Sequence, residues 1–231
     1  MEEIGWETRR AGAAPLLLAI PHGARPMPTV LWFHGLSVDK ETHRKELEQI
    51  ARAGFLAVGV DAAGHGERRL PDLDARIDVS RDETIRFMLG LVEQTACEVP
   101  AIVRALVDDG LADAERVSAV GISMGGYLLY RAVLEEPSLR AAVAILGSPE
   151  WPEGDSPHRH LDAFRRIALL SITAEHDENV PPAPAREFHR RLGQSDRARY
   201  VELPGAVHLM SAADWERTMD ETLRWLAIHN R

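Results

Sequence analysis

After residue 28 the chain alternates between short apolar runs and amphipathic stretches, and that alternation leaves few folds open. Thr29–Phe33 ("TVLWF") is a short β-rich run that leads into a His-Gly turn. "DKETHRKELEQIARAG" follows, with Leu47, Ile50 and Ala51 on one helical face and Gly54 placed to cap the end. "FLAVGVDAAGHG" is a second buried strand ending at Asp61, and "AERVSAVGIS" a third, followed by a helix from Met124 that stops before Pro137. "RAAVAILGS" and "RIALLSITAEHD" read as the fourth and fifth strands. A helix over Pro182–Leu192, a sixth strand in "RARYVELPG" and a last helix carrying Trp215, Met219, Leu223 and Leu226 complete the pattern. Strands that are apolar throughout, separated by helices, predict βαβ units and a mostly parallel sheet covered on both faces.

The first 28 residues break the alternation. "GWETRRAG" and "PLLLAI" predict an antiparallel hairpin at one edge of the sheet. Two other segments exceed a minimal connection. Glu67–Gly110 begins polar and becomes a long helical pattern through Phe87, Met88, Leu91 and Val92, with Pro100 expected to break or kink it. Ser148–Phe164 is rich in Pro and His. The expectation is one domain over residues 1–231, with insertions at about 67–100 and 148–164 forming a small cap over the strand ends.

The sequence then supplies a reason for a site at those ends. "GISMGG" places Ser123 between Gly121 and Gly125, after a predicted strand and before a predicted helix. A G-x-S-x-G match alone is weak; in that setting it reads as a nucleophile held on a sharp strand-to-helix turn. A serine hydroxyl needs a base. Asp177 follows the fifth strand and His208 the sixth, the order acid then histidine that such a turn calls for. Glu175 and Glu178 are rival acids. Among the ten histidines, His158, His160 and His189 read as solvated, and His158 with His160 lacks the carboxylate pattern of a metal site. A tetrahedral intermediate also needs two N–H donors. Met124 supplies one, and Leu36 in "FHGLS" the other, with Gly35 its nearest rival. His34 reads as a backbone-bonding, structural histidine.

Together, "WFHGLS", "DAAGHGER", "GISMGG", "EHDENVP" and "GAVHL" resemble the α/β-hydrolase superfamily, in its order and from Pro28 to the C-terminus. The chain looks most like small bacterial carboxylesterases related to the prolyl oligopeptidase and dienelactone hydrolase branches. The resemblance implies the α/β-hydrolase fold and cofactor-free ester hydrolysis, with Ser123 as nucleophile, His208 as base, Asp177 as its orienter, and Leu36 and Met124 as oxyanion donors. Two departures stand out. Ala174 occupies a position where glycine is frequent, and dienelactone hydrolases proper carry a cysteine where this chain has Ser123.

Composition narrows the partners. A net charge of −9 over 231 residues gives no electrostatic reason to bind nucleic acid or anionic lipid. Cys97 is the only cysteine, so neither an internal disulfide nor a cysteine-based zinc site is available. The charged start and the lack of a long apolar run make the expected location cytoplasmic. The expected substrate is a small ester of short to medium acyl chain. Phe87, Met88, Leu91, Trp151 and Met210 are the apolar candidates for its pocket, and Arg68, Arg69 and Arg76 the only candidates for a local basic cluster. A thioesterase or amide hydrolase on the same residues is the alternative, and a non-catalytic binding protein on this scaffold the third reading.

Overall fold

The computed structural model describes residues 3–193 and 195–230. Its strands are β1 (Gly5–Ala11), β2 (Ala14–Ile20), β3 (Met27–Phe33), β4 (Leu56–Val60), β5 (Ala112–Ile122), β6 (Ala141–Ile145), β7 (Ala168–Ala174) and β8 (Ala198–Leu203). Its helices are α1 (Arg44–Arg52), α2 (Leu73–Ile77), α3 (Arg81–Asp108), α4 (Met124–Glu135), α5 (Leu161–Phe164), α6 (Ala183–Leu192) and α7 (Ala212–His229). All eight strands form one sheet in the order β1-β2-β4-β3-β5-β6-β7-β8. The N-terminal hairpin is antiparallel and sits at the edge, and every pairing from β4 to β8 is parallel.

The period-two geometry of a strand divides the core between the two faces. Leu31 and Phe33 of β3 join Leu16 and Leu18 of β2 on the side covered by α3 and α4. Val30 and Trp32 join Leu17 and Ala19 on the side covered by α1 and α7, where Leu47, Ile50, Trp225 and Leu226 pack. Both faces of the central strands are buried, so β4, β6 and β7 carry no polar alternation. Trp225 also donates from Nε1 to the Ala168 carbonyl at 3.2 Å. Its truncation to alanine costs about 3–5 kcal/mol, the range for large core aromatics.

β3 lies between β4 and β5, so the chain runs from the centre to one side and then returns to the other. The loops after β3 and β5 therefore leave the sheet side by side and diverge, which opens a crevice at the strand C-termini. The register is explicit: Phe33, the last residue of β3, pairs with Gly121 near the end of β5.

Pro100 does not break its helix. α3 runs unbroken from a capping box between Ser80 and Glu83 to Asp108. Val99, Ile102 and Val103 are buried around Pro100, and their packing offsets the single backbone bond that proline cannot make. Among the described residues no helix is long and apolar enough to cross a membrane.

Candidate active site

The turn at Ser123 is dictated by close backbone approach. A Cβ on Gly121 would lie 2.0 Å from the Gly125 carbonyl oxygen, and one on Gly125 would lie 2.1 Å from the Phe33 carbonyl oxygen. No side chain fits either position, so α4 can start directly against β3 and β5 only with glycine there. Ser123 takes φ 54° and ψ −115°, a conformation that costs a non-glycine residue on the order of 1–3 kcal/mol. Its N–H donates to the Ile145 carbonyl at 2.9 Å, and its carbonyl accepts from Gly126 and Tyr127. Among the described residues the non-glycine positions with positive φ are Ser37, Ser123 and Leu146. They follow β3, β5 and β6, so the backbone strain is concentrated at one rim of the sheet.

Ser123 Oγ lies 3.0 Å from His208 Nε2. His208 Nδ1 lies 2.8 Å from Asp177 Oδ2. The other carboxylate oxygen of Asp177 accepts the N–H groups of Asn179 and Val180 at 2.9 and 2.8 Å. The Asp177 side chain is fully buried, whereas that of His208 keeps 18% of its surface exposed. Acceptors on one side of the imidazole and a hydroxyl on the other select the tautomer that carries its proton on Nδ1. The rival acids are elsewhere: Glu175 accepts from the Gly205 N–H at 2.7 Å, and Glu178 is exposed.

Met124 is the first residue of α4, and its N–H is one of the unpaired donors at that helix end. Leu36 stands in the β3 loop on the facing wall, where it lines the recess with Gly35 and Ser123. That loop is tied down from behind. His34 donates from Nδ1 to the Gly35 carbonyl at 2.7 Å and accepts the Ala62 N–H on Nε2 at 3.0 Å. Burial pushes its pKa down to about 4, so the ring stays neutral and keeps both roles. Asp61 accepts the backbone N–H and the Nζ of Lys40 as well as the Glu67 N–H. Burial alone would raise the Asp61 pKa; the bonds from Lys40 and Glu67 outweigh it and hold the carboxyl below its usual range. A Cβ on Gly66 would lie 2.1 Å from that carboxyl carbon, which accounts for the second glycine of "DAAGHGER".

Ser123 and His208 open onto a recess of about 550 Å³, inside the range of small-molecule sites. One wall is the start of α3, where Arg81, Thr84, Ile85 and Met88 line it at the i, i+3, i+4, i+7 spacing of a single helical face. Of the five pocket residues expected from the sequence, Met88 is on that wall and Leu91 is not. Met210 lines a shallower adjoining recess on the other side of His208, with His43 and Trp215. Phe87 and Trp151 do not line the recess. Phe87, one position from Met88, faces away and packs with Ala63, Leu73 and Leu91 while Arg76 stacks on its ring at 5.3 Å. Trp151 is buried in the core on the α3 and α4 side. Tyr127, Val180 and Leu209 line the recess unforeseen. Tyr127 had a usable signal, since it stands one helical turn after Ser123.

Two further expectations are corrected. His189 is buried, not solvated: α6 packs it against β7, where Nε2 meets Ser171 Oγ at 2.8 Å. The three arginines form no anion site, because Arg68, Arg69 and Arg76 pair with Glu98, Asp74 and Asp72. His158 meets Ser156, and His160 meets Asp155. Among the described residues no group of three or more His, Cys, Asp or Glu side chains is placed to hold a metal ion.

Comparison with known proteins identifies the family and the fold. Residues 30–229 match the model of a family described as the alpha/beta hydrolase family. A Bacillus subtilis (strain 168) protein provisionally named esterase YitV is 28% identical over 232 residues, covering 85% of this chain and 88% of its own. A solved structure from Klebsiella pneumoniae, provisionally named a dienelactone hydrolase, superposes with a TM-score of 0.76 at 18% identity, over 98% of this chain and 99% of its own. A puromycin-hydrolyzing peptidase from Mycobacterium tuberculosis superposes with a TM-score of 0.74 at 19% identity, over 97% of this chain and 39% of the longer protein.

Proposed function

Since the chain belongs to the alpha/beta hydrolase family and is a hydrolase, we propose that it is a serine carboxylesterase acting on esters of short to medium acyl chain. The observation that carries this reading is the unbroken line Ser123 Oγ, His208 Nε2, His208 Nδ1, Asp177 Oδ2 at the mouth of a recess with apolar walls. The esterase name of the Bacillus subtilis relative supports it.

In this mechanism Ser123 Oγ attacks the ester carbonyl as His208 Nε2 takes its proton. Asp177 holds the imidazole orientation and stabilises the imidazolium, with its other oxygen already accepting from Asn179 and Val180. The developing oxyanion sits between the N–H groups of Met124 and Leu36. His208 then protonates the departing alcohol. Water repeats the cycle on the acyl-enzyme and releases the acid, which regenerates Ser123. The chemistry calls for no cofactor. The insertions at about 67–100 and 148–164 act as the cap, the first of them through the α3 wall.

The same machinery would cleave a thioester or an amide, so the test is a panel. Nitrophenyl esters of increasing acyl length, an acyl thioester and an aminoacyl amide are compared by kcat/KM. The expected order puts butyrate-length esters first. Ser123→Ala is expected to lower turnover by about 10⁴-fold or more, as removing a triad nucleophile does, and to leave the melting temperature near wild type. Labelling of the wild type by a fluorophosphonate, lost in Ser123→Ala, identifies the nucleophile. A preference for the thioester or the amide would replace the carboxylesterase reading, and an active Ser123→Ala would remove Ser123 from the mechanism.

A further inference from the structure

The recess beside Ser123 has a neighbour. A second cavity of about 260 Å³ lies where α3 meets the segments after β6 and β7, lined by Arg86, Ser148, Pro152, Pro181 and Pro184 among others. Two residues, Ile85 and Tyr127, line both cavities. Ile85 comes from the first long insertion. Tyr127 comes from α4, one turn after the nucleophile, and is buried. The partition is braced on the α3 side, where Arg86, next to Ile85, pairs with Glu153 at 2.9 Å and joins α3 to the loop after β6.

We propose that Ile85 and Tyr127 are the wall against which the acyl chain ends, and that this pair sets the acyl length the enzyme accepts. The proposal rests on the carboxylesterase reading of the same site and deepens it. A chain that starts at the Ser123 acyl carbon and runs along the α3 face passes Met88 and stops at Ile85 and Tyr127. The space behind them is preformed. Removing the partition joins the two cavities and lets a longer chain reach the three prolines, which share that lining with Asp82, Arg86 and Glu150, where the native enzyme would leave its tail in water. Filling the gap further does the opposite and excludes chains that the native enzyme holds.

The experiment compares kcat/KM for nitrophenyl butyrate and nitrophenyl decanoate in four proteins: wild type, Ile85→Ala, Ile85→Trp and Tyr127→Leu. Each ratio is internal to one protein, so a partly folded preparation does not distort it. Ile85→Ala is expected to raise the decanoate-to-butyrate ratio about tenfold, the gain from newly burying a few methylenes, and Tyr127→Leu to raise it in the same direction. Ile85→Trp is expected to lower it. Unchanged ratios in Ile85→Ala and Tyr127→Leu, with a wild type that turns over butyrate, overturn the partition and leave the esterase reading standing. A change that follows the length of the alcohol at fixed acyl length also overturns it, because the chain in this recess would then be the leaving group. A wild type that neither turns over any ester nor takes a fluorophosphonate overturns the esterase reading itself, and the partition falls with it.

Discussion

Among the described residues two serine–histidine contacts run through the imidazole Nε2 at nearly equal length, and only one of them has the surroundings that the proposed reaction needs. Ser123 Oγ meets His208 Nε2 at 3.0 Å, and Ser171 Oγ meets His189 Nε2 at 2.8 Å. Strand β7 serves both: it carries Ser171 within its length and Asp177 just beyond its C-terminal end. The serines differ in backbone and access. Ser123 sits strained on a turn at the sheet rim, beside a recess. Ser171 sits inside the strand, 1% exposed, with its hydroxyl also 2.6 Å from the Tyr130 hydroxyl. The histidines differ in what stands behind them. His208 has a buried carboxylate on Nδ1, whereas His189 is wedged among the rings of Phe188 and Tyr200. A serine–histidine bond is therefore not a nucleophile by itself. Access, a strained turn and a carboxylate that stabilises the imidazolium convert one into the other.

The sharpest way to break the comparison is to take away the carboxylate. Asp177→Asn keeps the shape and loses the charge, and it also removes the preference for the Nδ1–H tautomer. The expected result is a fall in kcat of about 10⁴-fold with the fold intact. The checks are ester kinetics and a thermal melt on the same sample. Retention of more than a tenth of the activity would mean that the carboxylate is dispensable, and that the distinction between the two pairs lies in access alone.

A smaller effect separates the two histidines by pH. Burial lowers the His189 pKa to about 4, against about 6.5 in the unfolded chain. The unfolded state therefore takes up a proton that the folded state refuses. The stability associated with His189 is whole above pH 6.5 and is lost as pH falls from there towards 4. The loss is roughly 2–3 kcal/mol between pH 7.5 and pH 4.5. His34, with its pKa also at about 4, adds a similar loss. Urea unfolding at the two pH values should show that His189→Leu removes roughly 2–3 kcal/mol of the acid sensitivity, while the activity against esters at pH 7.5 persists. Equal acid sensitivity in variant and wild type would show that His189 titrates like an exposed histidine.

The difference between the two pairs also marks how far the sequence could be read. Ser123 was legible because its surroundings are steric: Gly121 and Gly125 admit no side chain, and that demand is written as two glycines at fixed spacing. The placement of acid and histidine after successive strands was legible from the alternation that also gives the parallel sheet. Ser171 carried no such mark, and the helical pattern around His189 gave no measure of how deeply α6 packs on β7. The pocket wall is only partly legible for a related reason. Phe87 and Leu91 are apolar like Met88, yet the face of α3 that meets the site is Arg81, Thr84, Ile85 and Met88. Which face of a long helix turns inward is fixed by the loop that delivers it, here the Asp61, Lys40 and Glu67 cluster and α2, and no local periodicity reports that. Pro100 misled in the same way, because its cost is local while the packing that offsets it is not.

The smallest expected effect falls on the structural pair. In the inner chain the protons are fully used if Tyr130 donates to Ser171 and Ser171 donates to His189 Nε2, the direction in which Ser123 donates to His208. Ser171→Ala removes the middle link. The Tyr130 hydroxyl, fully buried, then loses its acceptor, and His189 Nε2 loses its donor. Two buried polar atoms without partners cost about 2 kcal/mol net once local relaxation is allowed, which for a chain of this size lowers the melting temperature by about 4–8 °C. The ester kcat/KM should not move, because neither Ser171 nor His189 lines the recess beside Ser123. Tyr130 is the point where the two pairs communicate: it stands on α4, two turns below the strained serine. If Ser171→Ala lowered kcat/KM in step with stability, the inner pair would be holding the nucleophile turn in place, and the separation between a reactive and a structural serine would give way to a single coupled unit along α4.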